Sequence, residues 1–198
     1  VALRITLRYG HTRLLEEGYG INLDRLRKFS KQFYQANPAF MPKGVEDLAM
    51  SEEDICALNC MHQAMTIIQF KLESQIIQRR PEFEMDDRLV LNYLNDDKTE
   101  ITLDEVTYSL DHGCFELVDL DNPAELHLGE ELIIHDLLYQ MQRSSRFKKH
   151  IDFLVNKGSM YKTYNNNLLF HGCIPCSEDG TFMEMTFQGK QYSSRQLM

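Results

Sequence analysis

The apolar positions of this chain recur with two different periods. From Ser51 onward, Ile55, Leu58, Met61, Met65, Ile68, Leu72 and Ile76 return every three or four residues. That spacing places them on one helical face and predicts one long amphipathic helix. Ser51-Glu52-Glu53-Asp54 resembles a capping box with Asp in its last place, and Pro81 follows the expected end near Arg79. Ile21, Leu23, Leu26, Phe29 and Phe33 predict an earlier helix with Asn22 as N-cap, ended by Pro38 and Pro42. A third helical stretch runs from Gly129 to about Lys157 through Leu132, Ile133, Leu137, Met141, Phe147, Ile151 and Leu154. Ser144-Ser145 is expected to break or bend it, and Gly158 to close it.

Elsewhere the period is two, or undecided. Leu3, Ile5, Leu7 and Tyr9 alternate with polar residues as in a strand, yet Leu3 and Leu7 also share a helical face. Both readings stay open there. Gly10, Gly18 and Gly20 predict a loop, and Asp86 to Asn95 a short helix. Between Lys98 and Asp121, Ile101, Leu103, Val106, Tyr108 and Leu110, then Cys114, Phe115, Leu117 and Val118, predict two or three short strands. Their turn is expected at Asp111-His112-Gly113. Leu168-Leu169-Phe170 reads as a short buried strand, and Thr181 to Phe187 as another, after a turn at Asp179-Gly180.

Composition narrows the class. Of the 198 residues, 43% are hydrophobic and 26% charged, so a disordered or low-complexity chain is excluded. With 21 basic and 30 acidic residues the formal charge is −9, and the basic residues are scattered. Binding to a nucleic-acid backbone requires concentrated positive charge, so nucleic acid is not expected as a partner. No apolar run approaches the length that spans a bilayer, so no membrane partner is expected. The start, Val1 to Ile5, has no signal-peptide pattern and reads as the inside of an element. Five cysteines, an odd number, fit reduced thiols and a cytoplasmic setting better than a disulfide framework.

One short stretch carries candidate chemistry. Leu168-Leu169-Phe170 runs directly into His171-Gly172, and a strand end can hold an imidazole rigidly beside a cleft. Gly172 leaves the backbone free to turn without a side chain in the way. His171 is therefore a candidate metal ligand; the alternative is a packed or hydrogen-bonded histidine. His171, Cys173 and Cys176 also have soft-ligand spacing for zinc or a redox pair. A structural zinc site takes about four ligands, and no second Cys-x-x-Cys is present. Asp111-His112-Gly113 lacks the spacer of an Asp-x-His-Gly metal motif, and His135-Asp136 reads as a surface pair. Met61 and Met65 read as core packing.

Leu168 to Pro175 resembles the class III fructose-1,6-bisphosphatases of bacteria, in the calcineurin-like metallophosphoesterase superfamily. Leu3 to Gly10, Gly18 to Asn22, Ile67 to Glu73 and Gly158 to Tyr161 agree with that resemblance, in the expected order. It implies a mixed α/β fold: residues 1–44 leave a phosphoesterase core, 45–157 form a mainly helical insertion with a small β element, and 158–198 return to the core strands. It also implies hydrolysis of the 1-phosphate of a sugar bisphosphate, fructose 1,6-bisphosphate, in gluconeogenesis, with a binuclear manganese site. Two such metals lower the pKa of a bridging water and hold the phosphoryl group. Of the ligand motifs implied, only the isolated His-Gly is here, so His171 alone carries over as a ligand. The other ligands are expected outside these residues, the chain alone is expected to be inactive, and a homo-oligomer is expected. The competing reading is a helical oligomerisation or regulatory module with no chemistry of its own.

Overall fold

In a computed structural model the described residues are 1–44, 50–110, 113–170, 172 and 175–197, with Arg195 described by its backbone. They form a mixture of helices and small antiparallel hairpins in two compact units, Val1–Ser145 and Arg146 onward.

The first unit is built around one helix. Ser51 caps it, its Oγ accepting from the Asp54 amide at 3.1 Å, and Glu52, Glu53 and Asp54 complement the positive end of the helix dipole. The helix (α4, Glu52–Gln78) ends just ahead of Pro81, as its sequence predicts. It is not, however, a surface helix with one apolar stripe. From Ala57 to Ile68 every side chain is buried, including Asn59, Cys60, His62, Gln63 and Thr66. The reason is that neighbours surround it, so the polar side chains must find partners inside. Asn59 does so with Asn37, accepting from its amide at 3.0 Å and donating to its carbonyl at 2.8 Å. Gln63 donates to the Gln35 carbonyl at 2.6 Å.

The undecided N-terminus is helical. Helix α1 (Ala2–Arg8) lays Leu3 and Leu7 against α4. The loop expected around the early glycines is a second helix, α2 (Thr12–Tyr19), with Gly18 inside it. Gly20 instead terminates it: at φ 69° it turns left-handed, and its amide and that of Ile21 reach the Glu16 and Leu15 carbonyls. Helix α3 (Asp24–Phe33) begins one residue later than a cap at Asn22 would give, although the Asn22 side-chain oxygen Oδ1 accepts from the Asp24 amide at 2.7 Å. It buries Leu26 and Phe29 and packs on α4. Asp86–Arg88 and Val90–Tyr93 are single 3-10 turns where one short helix was expected.

The first hairpin, β1 (Glu100–Leu103) with β2 (Val106–Ser109), turns at Asp104 and Glu105. Both turn residues have positive φ, 48° and 64°, the geometry that matches strand twist in a two-residue turn. Of the expected turn, Asp111 and His112 lie outside the described residues. Leu117 and Val118 stand in a turn, and no strand includes them. Helix α5 (Leu128–Arg143) ends at Ser144, where the break was expected, and α6 (Ser145–Lys157) follows. Gly129 in the first turn of α5 is required by close approach: a Cβ there would lie 2.5 Å from the Phe29 ring. Met61 and Met65 are core residues, as expected.

His62 gives this core a pH dependence. Its ring nitrogen lies 3.4 Å from the Phe40 carbonyl. Burial, helped by the Arg4 and Arg8 charges, holds its pKa below the ordinary value, against that hydrogen bond. The folded state therefore takes up this proton less readily than the unfolded chain. Stability should fall as pH drops below about 6.5, the ordinary histidine value. The urea midpoint of the chain should be lower at pH 5.5 than at pH 7.5, and His62→Gln should flatten that difference; an unchanged slope would contradict it.

The second unit contains α6 and two hairpins. Strand β3 (Tyr161–Tyr164) pairs with β4 (Asn167–Phe170) across Asn165 and Asn166, both at positive φ. Strand β5 (Glu184–Phe187) pairs with β6 (Lys190–Ser193) across Gln188-Gly189.

Candidate functional site

The sequence directs attention to the end of β4. The strand is present, as Asn167–Phe170. It is not buried: all four of its residues are exposed. His171, Cys173 and Ile174, and with them the metal-ligand assignment and most of the zinc trio, lie outside the described residues. Gly172 is described, and a Cβ there would meet no atom within 4 Å. Cys176 is exposed and bridges Phe182, and the Asp179-Gly180 turn forms as expected. The Asp179 carboxylate accepts from the Thr181 amide and hydroxyl, which lowers its pKa. Among the described residues, no group of three or more His, Cys, Asp or Glu could hold a metal ion.

The most polar interior feature lies in the first unit, and sequence reasoning missed it. Lys71 of α4 and Glu130 of α5 are both fully buried and meet at 2.7 Å. Lys71 Nζ also donates to the Leu117 carbonyl at 2.7 Å. The same Glu130 oxygen accepts from the His127 amide at 2.8 Å, while the His127 ring accepts from Gly129, so the glutamate belongs to a capping box. Its other oxygen, Oε1, is buried with no hydrogen-bond partner, as is the Tyr34 hydroxyl. Burial first, then the charge of Glu130, raises the Tyr34 pKa far above its ordinary value. This cluster joins α4 to α5 by charge. A capping-box Glu was a signal available at His127 to Glu130, but nothing in the sequence pairs it with Lys71.

A cleft of about 680 Å³ on the first unit has Arg25 and Lys28 on its wall together with Asp24 and Asp136. Arg25 lies 3.9 Å from Asp136, so opposite charges offset each other and no anion site is built. His135 is exposed and Asp136 half-buried, in keeping with the surface reading.

The site's geometry thus leaves the chemistry open, and relatedness decides the family. The family described as Firmicute fructose-1,6-bisphosphatase matches residues 1–198, the whole chain. The chain belongs to that family. It is 48% identical over 195 residues to a class 3 fructose-1,6-bisphosphatase of Pediococcus pentosaceus, a match covering 98% of the chain and 30% of the relative. Similar relatives occur in Ligilactobacillus salivarius, at 45% identity over 98% of the chain and 31% of the relative, and in Staphylococcus aureus, at 44% over 99% and 30%. The chain therefore spans about 30% of the length of these family members. No solved structure matches it. Among the described residues no helix is long and apolar enough to cross a membrane.

Proposed function

We propose that this chain is one segment of a fructose-1,6-bisphosphate 1-phosphatase, which converts fructose 1,6-bisphosphate and water to fructose 6-phosphate and phosphate in gluconeogenesis. The observation that carries the reading is the match of the whole chain to a single phosphatase family. In the proposed division of the polypeptide, residues 1–44 leave a calcineurin-like metallophosphoesterase core, 45–157 are an insertion and 158–198 return to the core. His171 is proposed as a metal ligand and manganese as the metal, in a cytoplasmic enzyme. The described residues do not fit a metal site by themselves. On this reading the remaining ligands come from outside the chain.

A second reading has one observation in its favour. The first unit has its own core, running from Leu3 to Leu137, and its own buried ion pair. That suits a helical oligomerisation or regulatory module, and such a module can sit inside an enzyme. Self-association is one way in which the exposed apolar surface of the second unit could be covered.

A chimera tests the first reading. The 198 residues replace the matched segment of the Pediococcus pentosaceus relative, and phosphate release from fructose 1,6-bisphosphate is followed with manganese present. Hydrolysis is expected. A folded chimera that binds manganese and releases no phosphate would contradict it.

A further inference from the structure

Arg4 and Arg8 stand one turn apart on α1, so their side chains share a face of that helix. Helix α1 packs on α4, where His62 is 6% exposed and its ring stands edge-on to Phe40, with 5.2 Å between centroids. Burial, then the Arg4 and Arg8 charges, hold the His62 pKa below its ordinary value. Only the Phe40 carbonyl acts the other way, and no described carboxylate does. The Lys43 amide donates to the Arg8 carbonyl at 2.7 Å, which brings a further cationic residue to that end of α1.

These charges are unmatched in a chain whose formal charge is −9. Arg13, Arg25, Arg27 and Arg80 each meet a carboxylate, at 2.9, 3.9, 3.4 and 3.7 Å. Among the described residues, Arg4 and Arg8 meet none. Arg4 is half-buried, and its Nε lies buried with no hydrogen-bond partner. A desolvated guanidinium N–H with nothing to accept from it is costly. Two like charges one helical turn apart also repel. An anion held by both arginines removes both penalties.

The chemistry of the donors selects the anion. A carboxylate has one charge and two oxygens in one plane, which a single guanidinium fork satisfies. Two guanidiniums call for two negative charges and for acceptors in more than one plane. A tetrahedral phosphate supplies both. We infer that Arg4, Arg8 and His62 form a binding site for a phosphate dianion, free or as a monoester. The buried Arg4 Nε donates to one phosphate oxygen. Arg8 is exposed, so the site is open to solvent on its side and has room for the remainder of an ester. His62 takes part by charge. The Phe40 carbonyl can only accept, so His62 Nδ1 holds the proton and Nε2 is the nitrogen that gains one. A neighbouring dianion favours that gain. The inference does not rest on the enzyme reading.

The measurement is calorimetric titration of the purified chain with inorganic phosphate and with glycerol 3-phosphate, at constant ionic strength. Saturable binding is expected, with proton uptake when the titration is repeated in buffers of different ionisation heat. Tighter binding of glycerol 3-phosphate assigns the site to esters, and tighter binding of inorganic phosphate assigns it to the free ion; either supports the inference. Arg4→Gln and Arg8→Gln should each weaken binding by about tenfold or more, as expected for loss of a charge-assisted hydrogen bond. Arg13→Gln on α2 removes the same charge and should leave binding unchanged. Phosphate should also raise the urea midpoint of the parent chain, because it binds the folded state, and should not raise that of Arg8→Gln. Arg8 is exposed, so that variant carries the test should Arg4→Gln fail to fold. Absence of saturable binding with both probes would overturn the inference. So would equal weakening by Arg13→Gln, which would show general attraction to positive charge in place of a site.

Discussion

Lys71→Met should be the most damaging single substitution in the first unit. It retains the length and packing of the side chain and removes its charge, leaving the Glu130 carboxylate fully buried without its ion partner. Breaking a buried pair from one side costs about 3–5 kcal/mol, because the remaining charge has lost its compensation. The Leu117 carbonyl loses its donor as well. The double variant Lys71→Met with Glu130→Gln should be less destabilised than Lys71→Met alone. No charge then stays buried, and the Gln oxygen can still accept from the His127 amide. Urea unfolding of the three proteins, followed by circular dichroism, checks this. A single variant within ~1 kcal/mol of the parent, or a double variant worse than the single, would show that the pair is not what joins α4 to α5.

The second large effect concerns His171 in the whole enzyme. If it is a metal ligand, His171→Ala in the chimera should lower manganese content and reduce kcat by orders of magnitude. A purely structural histidine would instead lose about 1–3 kcal/mol of stability through an unsatisfied partner, with metal content and turnover close to normal. Metal analysis and kcat on the folded variant separate the two outcomes. Unchanged metal content with near-normal turnover would remove the only site assignment made in this chain.

Much of the helical scaffold is legible in the sequence, because its signals are local. Ser51, the acidic first turn and Pro81 bracket α4, and Ser144 marks the end of α5. The Asp179-Gly180 turn is local chemistry too, with Gly180 at φ 84°. What was illegible depends on the rest of the fold. Leu3 to Tyr9 fits either period; its Leu3-Leu7 face is buried against α4, so the helix prevails. The first hairpin turns on Asp104 and Glu105, which adopt positive φ without being glycine, so no glycine marks it in the sequence. Lys71 and Glu130 are ordinary charged residues 59 positions apart, and only the docking of α5 on α4 makes them a pair. The burial expected for Leu168 to Phe170 rests on their apolar character; among the described residues nothing covers them. His171 was singled out by its place after that strand and by family resemblance, and it lies outside the described residues.

On the proposed reading the chain is one segment, about 30% of its relatives' length, of a phosphatase whose remaining metal ligands come from outside these residues. The most direct test is hydrolysis of fructose 1,6-bisphosphate by the purified 198-residue chain with manganese, beside the chimera as positive control. The chain should release no phosphate above a manganese blank while the chimera turns over. Robust, manganese-dependent hydrolysis by the chain alone would contradict the account.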